Sequence, residues 1–175
     1  SRDSRIILCI GDKQGISGAL NIGIDQSKGK FIARMDSDDV CDSARLGKQV
    51  ERLTNDNLDV CGGHSLLIDK AGRINGISVS PLNHDSCTLC LGFLVPFFHP
   101  TVMVRKSFLQ NHNLMYGQSC HKTAEDYDLW VRMHGAGALF GNVDAVVLKY
   151  RVLDNSLSRN NPTMLSDSKA LANTF

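Results

Sequence analysis

Short apolar runs alternate with longer stretches of helical period along the first third of the chain. Arg5–Ile10 (Arg-Ile-Ile-Leu-Cys-Ile) and Phe31–Met35 (Phe-Ile-Ala-Arg-Met) are such runs. Each is bounded by turn signals, which predicts interior strands. Between them, after the turn Gly11–Gly15, Ile16–Ser27 carries Ile16, Ala19, Leu20, Gly23 and Ile24 at helical spacing. Strand, helix and strand with short joins predict a βαβ unit with parallel pairing. Asn21 and Gly23 lower helix propensity there, and a close approach of backbone or ligand would explain them. The helix start after Gly15 offers free amides to an anion.

Ser43–Thr54 is amphipathic, with Leu46, Val50 and Leu53 expected inward and Arg45, Lys48, Glu51 and Arg52 outward. Leu58–Ile68 and Arg73–Val79 flank the turn Asp69-Lys70-Ala71-Gly72 and predict an antiparallel hairpin. Beyond the loop Pro81–Asp85, Ser86–Leu94 predicts a helix. Phe93–Phe98 predicts a core segment rather than a membrane contact, being short and interrupted by Pro96. His99-Pro100 precedes a strand at Thr101–Val104. A short helix follows at Lys106–Asn111, then a polar loop at Asn113–Thr123. Glu125 and Asp126 open a helix over Ala124–Gly135, where acidic charge is favoured, with Leu129, Trp130 and Met133 inward. Val143–Arg151 is the last strand. Asp154–Pro162 is a polar loop, and Thr163–Thr174 a tail helix.

Composition narrows the function classes. The 175 residues suit one domain, with a tail over 160–175, and 42% hydrophobic and 21% charged residues describe a globular chain. A net charge of +1 supplies no basic field for nucleic acid. No apolar run reaches the length of a membrane span, and no signal peptide opens the chain. Of six cysteines, Cys9 and Cys61 lie in apolar runs and are expected in the core. Cys87-Thr88-Leu89-Cys90 is a lone CxxC, weak evidence for zinc or redox chemistry. Reduced thiols and a cytoplasmic location are expected, with peripheral association at the inner face of the membrane also compatible.

The chemistry concentrates where the run at Phe31 ends in Asp36-Ser37-Asp38-Asp39. Ligands in open α/β sheets bind beyond the carboxyl ends of strands. Clustered carboxylates there suit Mn²⁺ or Mg²⁺ shared with substrate phosphates. A helix cap needs one Asp, and three within four residues repel one another unless a cation sits among them.

Three stretches together resemble the inverting GT-A glycosyltransferases of family 2. They are Gly15–Ile24 with Gly29–Asp39, then His99–Arg105, then Ala124–Trp130 backed by Tyr150-Arg151-Val152 and Ser156–Arg159. The resemblance implies a Rossmann-like three-layer α/β sandwich with a mostly parallel central sheet. It implies a nucleotide-sugar donor, UDP-type above others, a carbohydrate or lipid-linked acceptor, a divalent cation, and inversion at the anomeric carbon. Asp36-Ser37-Asp38 matches the family's DxD. Asp38 would be the main metal or diphosphate contact, with Asp36 towards the metal and ribose and Asp39 close by. Gly15, Asn21, Arg34, His99 and Arg151 fall at positions near the donor. Glu125-Asp126 resembles the catalytic pair, and Asp126 is the expected general base. Leu153 and Asp154 stand where relatives often carry a His.

Family members open with further strands that build the base and ribose pocket, and the resemblance implies that this chain is a fragment lacking them. An enzyme is therefore expected of the parent. A non-catalytic binding or assembly module with the same fold is the competing reading for the chain itself. A nucleotidyltransferase or a metal-dependent phosphatase, each able to place acids after a strand, is a third reading, and a phosphatase would leave Glu125-Asp126 without a role. Strands deprived of neighbours are expected to self-associate, as a homodimer, and this chain alone to be a poor enzyme.

Overall fold

A computed structural model describes residues 3–11, 15–119, 124–153, 168–170 and 172. In chain order the elements are α1 (Gly15–Gln26), β1 (Phe31–Ala33), β2 (Val40–Cys41), α2 (Arg45–Asn55), β3 (Val60–Ile68) and β4 (Ile74–Ser78). They continue with α3 (His84–Leu91), a 3-10 turn (His99–Thr101), β5 (Met103–Arg105), α4 (Lys106–Asn111), α5 (Glu125–Gly135) and β6 (Phe140–Arg151). Residues 168–170 and 172 are helical, within the expected tail helix. The expected loop Asp154–Pro162, the turn residues 12–14 and the end of the loop before Ala124 lie outside the described residues.

The sheet order is β1-β5-β3-β6-β2, with β4 also on β3. Helices lie on both faces, which gives three layers. β3 shows why: its side chains alternate, as those of any strand must. Val60, with Val104, Phe140 and Trp130, belongs to a cluster built with α3 and α5. Cys61, with Met103, Val147 and Leu53, belongs to a second cluster under α2. Trp130 is fully buried, and its ring meets Phe97 edge-on at 5.3 Å. Gly62 is the close-approach point of the sheet, since a Cβ there would stand 2.3 Å from Asn142 Oδ1.

The layered α/β architecture is as expected, but the strand directions are not. Among the described residues only β3 and β6 pair in parallel; β1–β5, β2–β6, β3–β4 and β3–β5 are antiparallel. The expected βαβ unit does not form. β1 takes β5 as its partner, and Arg5–Ile10 is no strand. Ile6, Ile7, Leu8 and Ile10 are all exposed, and so is Cys9, expected in the core. A strand needs a neighbouring backbone to take its amides and carbonyls, and none of the described residues offers one there.

Two further faces differ. α2 turns Arg45, Gln49 and Leu53 inward and leaves Leu46 and Val50 exposed. The carbonyls beneath this helix need donors, which a leucine lacks. In Phe93–Phe98 only the second half is core: Phe97 is buried, while Phe93 and Leu94 are largely exposed. The helix before it starts two residues early, at His84, because Asn83 and Ser86 form a reciprocal capping box. The hairpin, α4 and the buried face of α5 match expectation. Cys87 is a core thiol that donates to Pro81 O, and burial pushes it up to about 12, which suits packing rather than redox work.

Candidate active site

The end of β1, the 3-10 turn and the start of α5 meet on one side of the sheet. Arg34 leaves β1 held by its own amide on Val102 O (3.0 Å). Its guanidinium grips Asp36 with both terminal nitrogens, at 2.6 and 2.7 Å. This fork occupies both oxygens of Asp36, so Arg34 pairs with the acidic loop directly. Asp38 is exposed. Asp39 is buried: its Oδ1 accepts from the Arg151 amide at 2.9 Å, and its Oδ2 has no partner among the described residues. Burial, with Asp36 and Asp38 nearby, pushes Asp39 up to about 6. Arg151 donates its side chain to the carbonyls of Asp38, Asp69 and Lys70. It staples the acidic loop to the hairpin turn.

Asp126 sits in the first turn of α5, and its Oδ1 accepts from the amide of Tyr127 at 2.8 Å. Its Oδ2 faces His99 Nδ1 at 3.8 Å, with side-chain exposures of 15% and 11%. Burial raises the Asp126 carboxyl above its ordinary range, opposed by these amides and by Arg34. Glu125 is raised too, by burial first and by Asp126. His99 is pushed down to about 3 by burial and by the charge of Arg34, so its ring is neutral. Arg34, Asp36, His99, Glu125 and Asp126 thus share one electrostatic environment.

Asn21 does not face the acids freely. Its amide nitrogen donates to Tyr116 O and its oxygen accepts from the Tyr116 amide, both at 3.0 Å. Gly15, with φ +70, opens α1 in a conformation that favours glycine.

Three contributors carried no signal in the pattern. Tyr116 places its hydroxyl 3.0 Å from His99 Nε2. Arg45 is buried, paired with no carboxylate among the described residues, and it donates to Arg34 O at 2.8 Å and to Gln49 Oε1 at 2.9 Å. Gln49 donates to Cys61 O and Thr101 O, both at 2.8 Å. One face of α2 thereby fixes the backbone of both β1 and the His99 turn. Arg45 and Gln49, four residues apart, share the inner face of α2.

The family model described as Glycosyl transferase family 2 matches residues 1–112. The chain belongs to that family. It is 31% identical over 159 residues to the O-antigen biosynthesis glycosyltransferase WbnJ of Escherichia coli, covering 90% of this chain and 61% of WbnJ. It is 28% identical over 167 residues to the UDP-Glc:alpha-D-GlcNAc-diphosphoundecaprenol beta-1,3-glucosyltransferase WfaP of Escherichia coli, covering 91% and 61%. Among solved structures, S. aureus TarS in complex with UDP-GlcNAc superposes with a TM-score of 0.64 at 15% identity, over 90% of this chain and 46% of that one. This likeness shows the GT-A fold. The chain spans 47% to 61% of the length of curated relatives such as these. Among the described residues no helix is long and apolar enough to cross a membrane.

Proposed function

We propose that this site transfers a sugar from a nucleotide-sugar to an acceptor hydroxyl by a single inverting displacement, with Asp126 as the general base. The observation that carries the reading is the buried Asp126 carboxyl at the mouth of α5, in the same electrostatic environment as the Arg34–Asp36 clamp. The acceptor O–H gives its proton to Asp126 while its oxygen attacks the anomeric carbon. The bond from that carbon to the diphosphate oxygen breaks, and its electron pair leaves with the nucleoside diphosphate. One attack on the anomeric carbon from the side opposite the departing diphosphate inverts its configuration. Glu125, half-buried, sits beside it to orient the acceptor.

The residues present fit a divalent cation. Asp38 is exposed, Asp36 is partly so, and Asp39 keeps an unpartnered buried oxygen. No cluster of three His, Cys, Asp or Glu at ligand spacing stands among the described residues. That suits a small hard cation that takes one or two carboxylates and draws its other ligands from phosphates. Asp38 would hold it, joined by Asp36 once its fork to Arg34 opens; when bound, it would neutralise charge on the departing diphosphate. A UDP-type donor is supported by WfaP, a UDP-Glc-dependent glucosyltransferase, and by the UDP-GlcNAc and UDP held by TarS. WfaP likewise supports a lipid-linked sugar as acceptor.

The test is Asp126→Asn in the full chain, assayed for transfer from UDP-sugars and for donor affinity. Turnover should fall by at least about a hundredfold, the usual contribution of general-base catalysis, with the donor Kd within about twofold. Turnover near that of the wild type would place the base elsewhere.

A further inference from the structure

We infer that Tyr116 is a positioning residue that holds His99 as the neutral tautomer with the proton on Nδ1, so that an N–H rather than a lone pair faces the Asp126 carboxylate. The inference rests on the reading of Asp126 as base for its catalytic consequence, and on geometry alone for the tautomer.

The ring of His99 has a different partner at each nitrogen. Nε2 lies 3.0 Å from the Tyr116 hydroxyl, and Nδ1 lies 3.8 Å from Asp126 Oδ2. A neutral imidazole carries one proton, and whichever nitrogen lacks it must accept. The Tyr116 phenol is buried and held above its ordinary range by that burial and by Asp126, so it keeps its proton and can donate. A carboxylate can only accept. With Nδ1 protonated, both contacts are attractive. With Nε2 protonated, the Nδ1 lone pair faces an anion across 3.8 Å. The other charged groups around the ring are Arg34, which opposes a charged imidazole, and Asp36, which favours it. The edge of Trp130 closes another side, with ring centroids 6.2 Å apart.

The fold spends several interactions on keeping that hydroxyl in place. The Tyr116 backbone is tied on both its amide and its carbonyl to Asn21 of α1. The next residue, Gly117, has φ +71, a conformation that favours glycine, and a Cβ there would come within 3.1 Å of Ser17. Arg132 donates to Met115 O at 2.7 Å from α5, the helix that carries Asp126. A loop tied both to α1 and to the base's own helix sets Tyr116 against His99 at a fixed distance. Asn21, near the donor in the sequence-based expectation, acts through this loop.

The experiment uses the full chain with ¹⁵N-labelled histidine. Long-range ¹H–¹⁵N correlation spectra at pH 7 report which ring nitrogen of each of the six histidines carries the proton, with His99→Gln identifying the signal. His99 should show a protonated Nδ1 and an unprotonated Nε2. In Tyr116→Phe the proton should move partly or wholly to Nε2, while the other five histidines, as internal controls of the fold, stay unchanged. A protonated Nε2 in the wild type, or an unaltered His99 in Tyr116→Phe, overturns the inference. The wild-type spectrum decides the tautomer even where the variant folds poorly. In the transfer assay, Tyr116→Phe should lower kcat/KM by about tenfold, as loss of an orienting partner commonly does. Its acid limb should move to higher pH, with donor affinity unchanged. A full chain with no transferase activity would refute the proposed reaction, and the spectra would still decide the tautomer.

Discussion

Gln49→Met tests the claim that α2 is a polar clamp beneath the site. Methionine matches glutamine closely in length and removes the amide alone. In the wild type, Gln49 Nε2 donates to Cys61 O and Thr101 O at 2.8 Å, and Oε1 accepts from Arg45 Nε at 2.9 Å. Gln49 is fully buried, so water cannot replace these partners. Each buried group left unsatisfied costs about 1–3 kcal/mol. Three are affected, one of them the donor of a buried guanidinium. Added burial of the methionine thioether and methyl returns about 1 kcal/mol. The net loss should be about 2–4 kcal/mol, allowing for partial relaxation. Urea unfolding followed by circular dichroism measures it, with Leu53→Ala as a comparison whose cost is cavity formation, about 2–5 kcal/mol. Both variants should lose stability, but only Gln49→Met should speed amide exchange at Arg34 and Val102 under native conditions. A loss below about 1 kcal/mol, or exchange unchanged at those amides, would refute the clamp.

Asp126→Asn should be more stable than the wild type at pH 7. The folded-state pKa of Asp126 is raised, so folding favours the protonated form; the penalty is absent at low pH and grows as pH rises through the window above the ordinary carboxylate value. Stability curves at pH 3 and pH 7 should show the difference closing at pH 3. For the same reason kcat/KM of the wild type should fall on acidification with a midpoint above the ordinary Asp range, read from a pH–rate profile. Gly62→Ala should cost more than about 2 kcal/mol in thermal unfolding, because the new Cβ meets buried Asn142, which is itself held on the carbonyls of Pro81 and Pro96. Asp38→Ala should weaken Mn²⁺-dependent UDP binding by calorimetry at least tenfold, and equal affinity would remove Asp38 from the cation site.

Local signals were legible in the sequence and distant ones were not. α4 was readable to the residue, and the hairpin followed from a turn flanked by apolar runs. The end of β1 in carboxylates was readable because strand, turn and acids are adjacent in the chain. The strand directions were not, since β1 finds β5 some seventy residues away, and no local pattern encodes that pairing. The face of α2 was misread for a different reason. Leu46, Val50 and Leu53 form a valid apolar stripe, and Arg45, Gln49 and Leu53 form an equally valid inward face once buried carbonyls need donors. Periodicity ranks side chains by their hydrophobicity, whereas here the unpaired backbone of β1, β3 and the His99 turn decided. Of the expected site residues, Arg34, Asp36, His99, Glu125 and Asp126 share one electrostatic environment. Arg151 and Asn21 join them by holding backbone, and Tyr116 was hidden in a polar loop without periodicity.

The central claim is a single displacement driven by one buried carboxylate, and the stereochemistry of its product tests that most directly. The full chain should be incubated with a UDP-sugar and a lipid-linked acceptor, and the anomeric proton of the new glycosidic linkage read by ¹H NMR. The account predicts the configuration opposite to that of the donor, in wild type and in any residual product of Asp126→Asn. A product that retains the donor's configuration would require two displacements and a nucleophile that this site does not assign, and would contradict it.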